Sequence, residues 1–265
     1  MCLITLNWQP DTPVPLLIAA NRDEFYARPT LGLCHWPEHG ILAGQDLQAG
    51  GTWLGLSAAA GSNRVRMAAL TNYRDVKNQN PAATSRGHLT ASFLKSSVDA
   101  KGYLQRLSAN IQLYNPFNLI LFDGQDLLGF ESRHARIFAL PRGITSVSNA
   151  DFNTPWPKLE RLRTSFEKAL TATGDEDATQ DSLFKLLADE QMAPDNALPH
   201  TGISLDRERV LSAAFIRTAD YGTRASSVIR IERQTAQFTE RRFDANGFKG
   251  EVKETISWGD ACLPR

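Results

Sequence analysis

Apolar and polar positions along the chain fall first into short runs of strand character. Cys2 to Trp8 is rich in β-branched and apolar residues. Turn chemistry follows at Gln9-Pro10-Asp11-Thr12-Pro13-Val14-Pro15, and Leu16 to Asn21 is apolar again. Two such runs joined by such a loop predict an antiparallel hairpin. With the turn centred near Thr12, pairing places Cys2 opposite roughly Arg22. Further short strands are expected at Ile41 to Gly44, Thr52 to Leu56 and Val65 to Thr71, with Gly50-Gly51 turning between two of them. Arg74 to Arg86 is polar and contains Asn78-Gln79-Asn80-Pro81, which predicts an exposed loop.

Helical spacing appears near His88 to Lys95 and Ala100 to Asn110. Strand character returns at Phe117 to Phe122, Leu127 to Glu131, Arg136 to Ala139 and Ile144 to Ser148. A helix is expected to open at Thr154-Pro155-Trp156-Pro157, with Thr154 as cap and proline in the first turn. Leu159, Leu162, Phe166 and Leu170 carry its apolar stripe. Asp181 to Ala188 predicts another helix, and Glu190 to Asp206 a long irregular segment. Strands are expected again at Ser212 to Phe215, Thr223 to Glu232, Gln237 to Phe243 and Val252 to Ser257. Strands, then helices, then strands without regular βαβ alternation predict an α+β fold of mostly antiparallel sheets with helices packed outside. No repeat, low-complexity tract or composition break divides the chain, so residues 1–265 read as one domain.

Composition narrows the function. Hydrophobic residues make up 42% and charged residues 22% of 265, and Lys+Arg and Asp+Glu both total 29. This is the profile of an ordinary globular chain. The balanced charge gives no electrostatic reason to expect nucleic acid as a partner. No stretch approaches the roughly 20 apolar residues of a membrane helix. The apolar run Leu16 to Ala20 follows Pro10, Asp11 and Pro13, not a basic segment, so no secretory signal is read. Three cysteines, Cys2, Cys34 and Cys262, lack any Cys-x-x-Cys spacing and make a disulfide framework unexpected. A reducing cytoplasm is the simpler expectation.

Cys2 carries the main chemistry. Its small side chain permits removal of Met1, leaving a free α-amine beside the thiol. Reference pKa values of about 7.7–8.0 and about 8.5 let that amine take the thiol proton near neutral pH. The alternative is a small apolar residue opening a buried strand. The hairpin register favours chemistry, because Asn21-Arg22-Asp23-Glu24 arrives beside the new terminus. A carboxylate there can orient the amine, and a guanidinium can favour thiolate or bind an acidic substrate.

Other signals carry less. Cys34-His35 with His39 matches no zinc spacing, and no metal site is expected. Gly50 to Gly55 lacks Gly-Lys-Ser/Thr and reads as a turn. Arg64-Arg66 and Arg241-Arg242 read as strand-edge charge, and Arg207-Glu208-Arg209 as an exposed segment.

Cys2 and Asn21-Arg22-Asp23-Glu24 resemble the signature of the NRDE family, also called the transport-and-Golgi-organisation type. The resemblance extends to Gly44-Gln45-Asp46, Gly50-Gly51-Thr52-Trp53-Leu54-Gly55, Leu70-Thr71-Asn72-Tyr73-Arg74, Asn115-Pro116-Phe117-Asn118-Leu119, Ser148-Asn149, Thr154-Pro155-Trp156-Pro157-Lys158 and Tyr221-Gly222-Thr223-Arg224. That family is similar, more distantly, to the choloylglycine-hydrolase and penicillin-acylase branch of the N-terminal-nucleophile hydrolases. The likeness implies a four-layer αββα sandwich and a cysteine that attacks linear amides through a thioester. Cys2 matches the nucleophile, Asp23 the carboxylate that contacts the α-amine, Asn72 an oxyanion-stabilising amide and Asn149 a second asparagine. Asn21, Arg22, Arg74 and Arg224 are the residues expected to bind substrate. One departure is that the arginine stands at 22, between Asn21 and Asp23, where the acylases place it before the asparagine. What is known of the NRDE family also implies a rival reading, a non-enzymatic carrier of haem or lipid using the same pocket. No cofactor is required under the first reading, a small molecule is the expected partner under both, and haem is a ligand under the second.

Overall fold

The computed structural model describes residues 2–37, 40–58, 64–172 and 176–258. Met1, His39 and Cys262 lie outside the described residues. The chain opens with strands β1 (Cys2–Trp8), β2 (Leu16–Phe25), β3 (Thr30–Trp36), β4 (Ile41–Asp46), β5 (Leu54–Ser57) and β6 (Arg66–Asn72). Helices α1 (Gly87–Lys95) and α2 (Ala100–Ser108) follow, then β7 (Phe117–Phe122), β8 (Leu127–Glu131), β9 (Arg136–Ala139) and β10 (Gly143–Val147). Helices α3 (Pro157–Ala172), α4 (Glu176–Leu187) and the short α5 (Leu205–Val210) precede β11 (Tyr221–Ile231), β12 (Thr235–Asp244) and β13 (Gly247–Ser257).

The strands form two sheets. One has six strands in the order β10-β1-β2-β11-β12-β13, the other seven in the order β3-β4-β5-β6-β7-β8-β9. Every pairing between these strands is antiparallel. The expected hairpin has the expected register, with Cys2 paired to Arg22 and Trp8 to Leu16. Side chains alternate across a strand, so each sheet offers two apolar faces. Ile4, Leu6, Ile18 and Ala20 of the first sheet share one cluster with Leu42, Leu54, Met67 and Ile120 of the second. Leu3, Leu17 and Ala19, one residue out of phase, pack instead with Leu159, Leu162 and Phe166 of α3 and with α4. The far face of the second sheet packs Ala68, Leu119 and Leu121 against Phe93 of α1 and Leu104 of α2. Each buried Leu, Ile, Met or Phe among these contributes roughly 1.5–3 kcal/mol.

Several expectations change. Ser212 to Phe215 forms no strand, because its amides are taken locally: Ser212 N donates to Arg209 O and Phe215 N to Asp189 O. β3 was not anticipated; Pro29 and the mixed run Thr30–Trp36 hide an edge strand whose pairing with β4 is bulged between Leu31 and Cys34. Thr154 does not act as an acceptor cap; its hydroxyl donates to Asp151 O at 2.8 Å. Arg66 is no edge charge: it lies on a central strand, donates to Val98 O and covers the Phe93 ring at 3.9 Å. Within the polar stretch after β6, Arg74 is buried, not exposed.

Candidate active site

The ends of β1, β2 and β6, the start of α1 and residues of β3, β4 and β12 enclose a cleft of about 690 Å³. Cys2, Arg22, Asp23, Asn72 and Arg224 line it. Arg22 reaches the cleft although it stands two positions beyond the arginine of the acylase pattern, because a two-residue step along a strand keeps the same face. It approaches Glu24 at 3.6 Å, and Glu24 in turn approaches Arg28 at 3.9 Å. Arg28 is fixed by Asp46 at 2.7 Å.

Glycines shape the rim. Gly50 adopts φ 77°, in the left-handed region. A Cβ on Gly51 would sit 2.4 Å from the Gly87 carbonyl carbon, so this residue must be glycine for α1 to reach the cleft. The approach lets Thr52 N donate to Gly87 O at 3.2 Å. It brings in Arg86, which sequence reasoning missed in its polar loop. Arg86 donates to Pro116 O at 3.0 Å and is electrostatically coupled to both Cys2 and Glu24.

The Cys2 thiol is buried, and burial pushes its pKa up to about 11 against the favourable charge of Arg22. With Met1 in place the sulfur is therefore a thiol at neutral pH. Its main chain is anchored by a relay that the sequence did not disclose. Ser148 Oγ donates to Cys2 O at 3.0 Å and lies 3.2 Å from Asn149 Oδ1. Asn149 Nδ2 donates to Asn72 O at 2.8 Å, and Asn149 O accepts from Arg74 N at 2.8 Å. Asn149 therefore positions Asn72 and does not itself line the cleft. Among the described residues the Asn72 carboxamide has no partner, which leaves it available to a ligand.

Asp23 is 1% exposed and accepts from Thr223 Oγ1 at 2.7 Å. Burial raises its pKa, and Lys158 is the chief charge opposing that rise. Lys158 was legible only as the end of a quoted motif. In the structure it is buried in the first turn of α3, and burial pushes its pKa down to about 8 against the attraction of Asp23.

The remaining expected residues lie elsewhere. Asn21 is fully buried on the helix side of its sheet, where its Nδ2 donates to Leu187 O at the end of α4 and to Ala214 O beyond α5, both at 2.8 Å. Its Oδ1 accepts from Ser226 Oγ at 2.7 Å. It is thus a structural cross-link on the face opposite Cys2. Arg74 is also off the cleft; it pairs with Glu208 at 2.9 Å and lies over the Trp156 ring at 4.8 Å. Glu208, read from sequence as exposed, is 4% exposed. Arg224 lines the cleft but spends its guanidinium on the carbonyls of Phe25, Tyr26, Arg28 and Phe243. It ties the β11 bulge to the turn after β2. Cys34 and His35 lie apart from the site; Cys34 donates weakly to Ala43 O, and His35 approaches Glu254 at 3.6 Å.

The sequence matches the family model described as transport and Golgi organisation 2 over residues 1–245. It is 38% identical to the transport and Golgi organization protein 2 homolog of Bos taurus over 264 residues, covering 91% of this chain and 92% of that protein. Identity to the Homo sapiens homolog is 34% over 262 residues, with the same coverage. To the Drosophila melanogaster transport and Golgi organization protein 2 it is 27% over 267 residues, covering 91% and 90%. No helix among the described residues is long and apolar enough to cross a membrane. The chain belongs to the transport and Golgi organisation 2 family, also called the NRDE family.

Proposed function

We propose that the chain is an N-terminal-nucleophile-type amidohydrolase, a four-layer αββα sandwich in which processed Cys2 cleaves a linear amide. The observation that carries this reading is that Cys2, Arg22, Asp23 and the Asn72 carboxamide, which has no partner among the described residues, line a single cleft. Removal of Met1 frees the Cys2 amine, which Asp23 orients. The amine takes the proton from Sγ as the sulfur bonds to the substrate carbonyl carbon, and the oxyanion accepts hydrogen bonds from Asn72 and a backbone N–H. Collapse breaks the C–N bond, and the leaving nitrogen takes the proton held by the amine. Water, deprotonated by the same amine, then splits the thioester to acid and free thiol.

The test is turnover of a panel of N-acyl amides, with hydroxylamine trapping of the thioester. Cys2→Ala is expected to abolish turnover and trapping together. Asn72→Ala is expected to lower kcat roughly 100- to 1,000-fold with little change in KM. Hydrolysis that survives Cys2→Ala rules the mechanism out.

A second reading is that the cleft carries haem or a lipid without chemistry. A haem plane or acyl chain needs a broad apolar wall. Arg22, Glu24, Arg28, Asp46 and Arg86 line the cleft with Cys2 instead, so it suits polar or charged groups better. Saturable haem binding lost in Cys2→Ala would reverse that preference.

A further inference from the structure

On the face of the six-stranded sheet that packs against α3, the chain buries a second set of charges. Asp23 follows Leu17, Ala19 and Asn21 at two-residue spacing, and the first turn of α3 places Lys158 within electrostatic reach of it. Lys158 is 2% exposed, and its Nζ has no hydrogen-bond partner among the described residues. Arg74 and Glu208 complete two buried cations and two buried carboxyls, joined to each other at 2.9 Å. An unpartnered buried ammonium is costly unless its charge serves neighbouring groups.

The charged groups that act on Lys158 come from several elements: Asp23 of β2, Arg74 beyond β6, Cys2 of β1 and Glu208 of α5. Tyr221 of β11 adds a phenol coupled to Asp23, Cys2 and Arg74. Cys2 itself feels Arg22, Asp23 and Glu24, with Arg86 across the cleft. Each negative neighbour opposes a negative sulfur, and Asp23 is the carboxylate that the amine needs beside it. A fixed cation behind both resolves this conflict. We propose that Lys158 is a positioning residue for Cys2, a buried cation that holds Asp23 as a carboxylate and favours negative charge on the sulfur. The inference rests on Cys2 being the reactive group of the site. At a pKa of about 8, Lys158 keeps its proton at neutral pH, so the charge is present where the thiol must react.

The test is the rate of Cys2 alkylation by iodoacetamide at pH 7.5 (roughly one unit below the ordinary thiol pKa), resolved by peptide mass spectrometry with Cys34 as internal reference. Loss of one nearby cation is expected to slow Cys2 labelling roughly tenfold in Lys158→Met and leave Cys34 unchanged. Loosened packing would instead expose the sulfur and speed its labelling. Lys158→Arg keeps the charge and is expected within about threefold of the parent rate. If Lys158→Met fails to fold, Asp23→Asn/Lys158→Met is compared with Asp23→Asn, a background that leaves no orphaned carboxylate. Equal or faster Cys2 labelling after loss of the lysine charge overturns the proposal, as does a Lys158→Arg variant as slow as Lys158→Met. Because alkylation needs no substrate, a protein that hydrolyses nothing yet shows this lysine dependence would sink the amidase reading and spare this one.

Discussion

Replacement of Asn21 by alanine separates architecture from chemistry within the signature stretch. The carboxamide is fully buried and makes three hydrogen bonds, two from Nδ2 to Leu187 O and Ala214 O and one to Oδ1 from Ser226 Oγ. At a net value of roughly 0.5–1.5 kcal/mol each, the bonds alone are worth about 3 kcal/mol. Alanine also strands two carbonyls and a hydroxyl away from water, which lifts the expected loss to about 3–5 kcal/mol. Asn21→Asp should be worse at neutral pH, because a carboxylate would face the same two carbonyl oxygens with nothing to donate. Urea denaturation at pH 7, compared by midpoint at unchanged slope, reads the loss. The carboxamide faces away from the cleft, so Cys2 alkylation in folded Asn21→Ala should stay within about twofold of the parent. A loss below about 1 kcal/mol, or a large change in Cys2 labelling without unfolding, would refute the assignment of Asn21 to the scaffold.

The Arg74–Glu208 pair should behave as a buried ion pair. Glu208→Ala is expected to cost about 3–5 kcal/mol by denaturant midpoint, since it strands the Arg74 cation; Arg74→Met/Glu208→Gln should recover most of that, and equal costs would contradict it. Glu240 supplies a pH dependence. Burial raises its pKa from 4.5 to about 7, opposed by its bond from Leu33 N at 2.8 Å. Between those two values the folded protein holds a proton that the unfolded chain has released. Its stabilising contribution is therefore complete below about 4.5 and gone above about 7. The stability of the parent relative to Glu240→Gln should fall by about 3 kcal/mol as pH rises through that window, and parallel pH curves would exclude the effect.

The hairpin and its approximate register were legible because strand period and turn position together constrain the pairing, although β2 runs on to Phe25. Cys2 opposite Arg22 needed no tertiary information. Apolar stripes likewise disclosed the helical faces, as Leu159, Leu162 and Phe166 illustrate. The buried charges were not legible. Glu208 sits in an acidic–basic run that reads as solvated, and only the arrival of Arg74 from a distant loop buries it. Arg86 and Lys158 are ordinary surface residues by local pattern; a close glycine contact places the first and the opening turn of α3 the second. Asn21 illustrates the converse. Its place in the signature suggested ligand contact, while strand alternation turned it toward the helices. Ser212–Phe215 had strand composition, but its amides were already taken by the preceding turn and by Asp189.

Intact-mass analysis of the purified protein after incubation with an acylating amide probe, followed by peptide mapping, bears most directly on Cys2 as a processed nucleophile. The expected result is a chain lacking the initiator methionine and carrying one acyl group, mapped to Cys2 and released by hydroxylamine. A chain that retains Met1 and carries no adduct at Cys2 contradicts the mechanism.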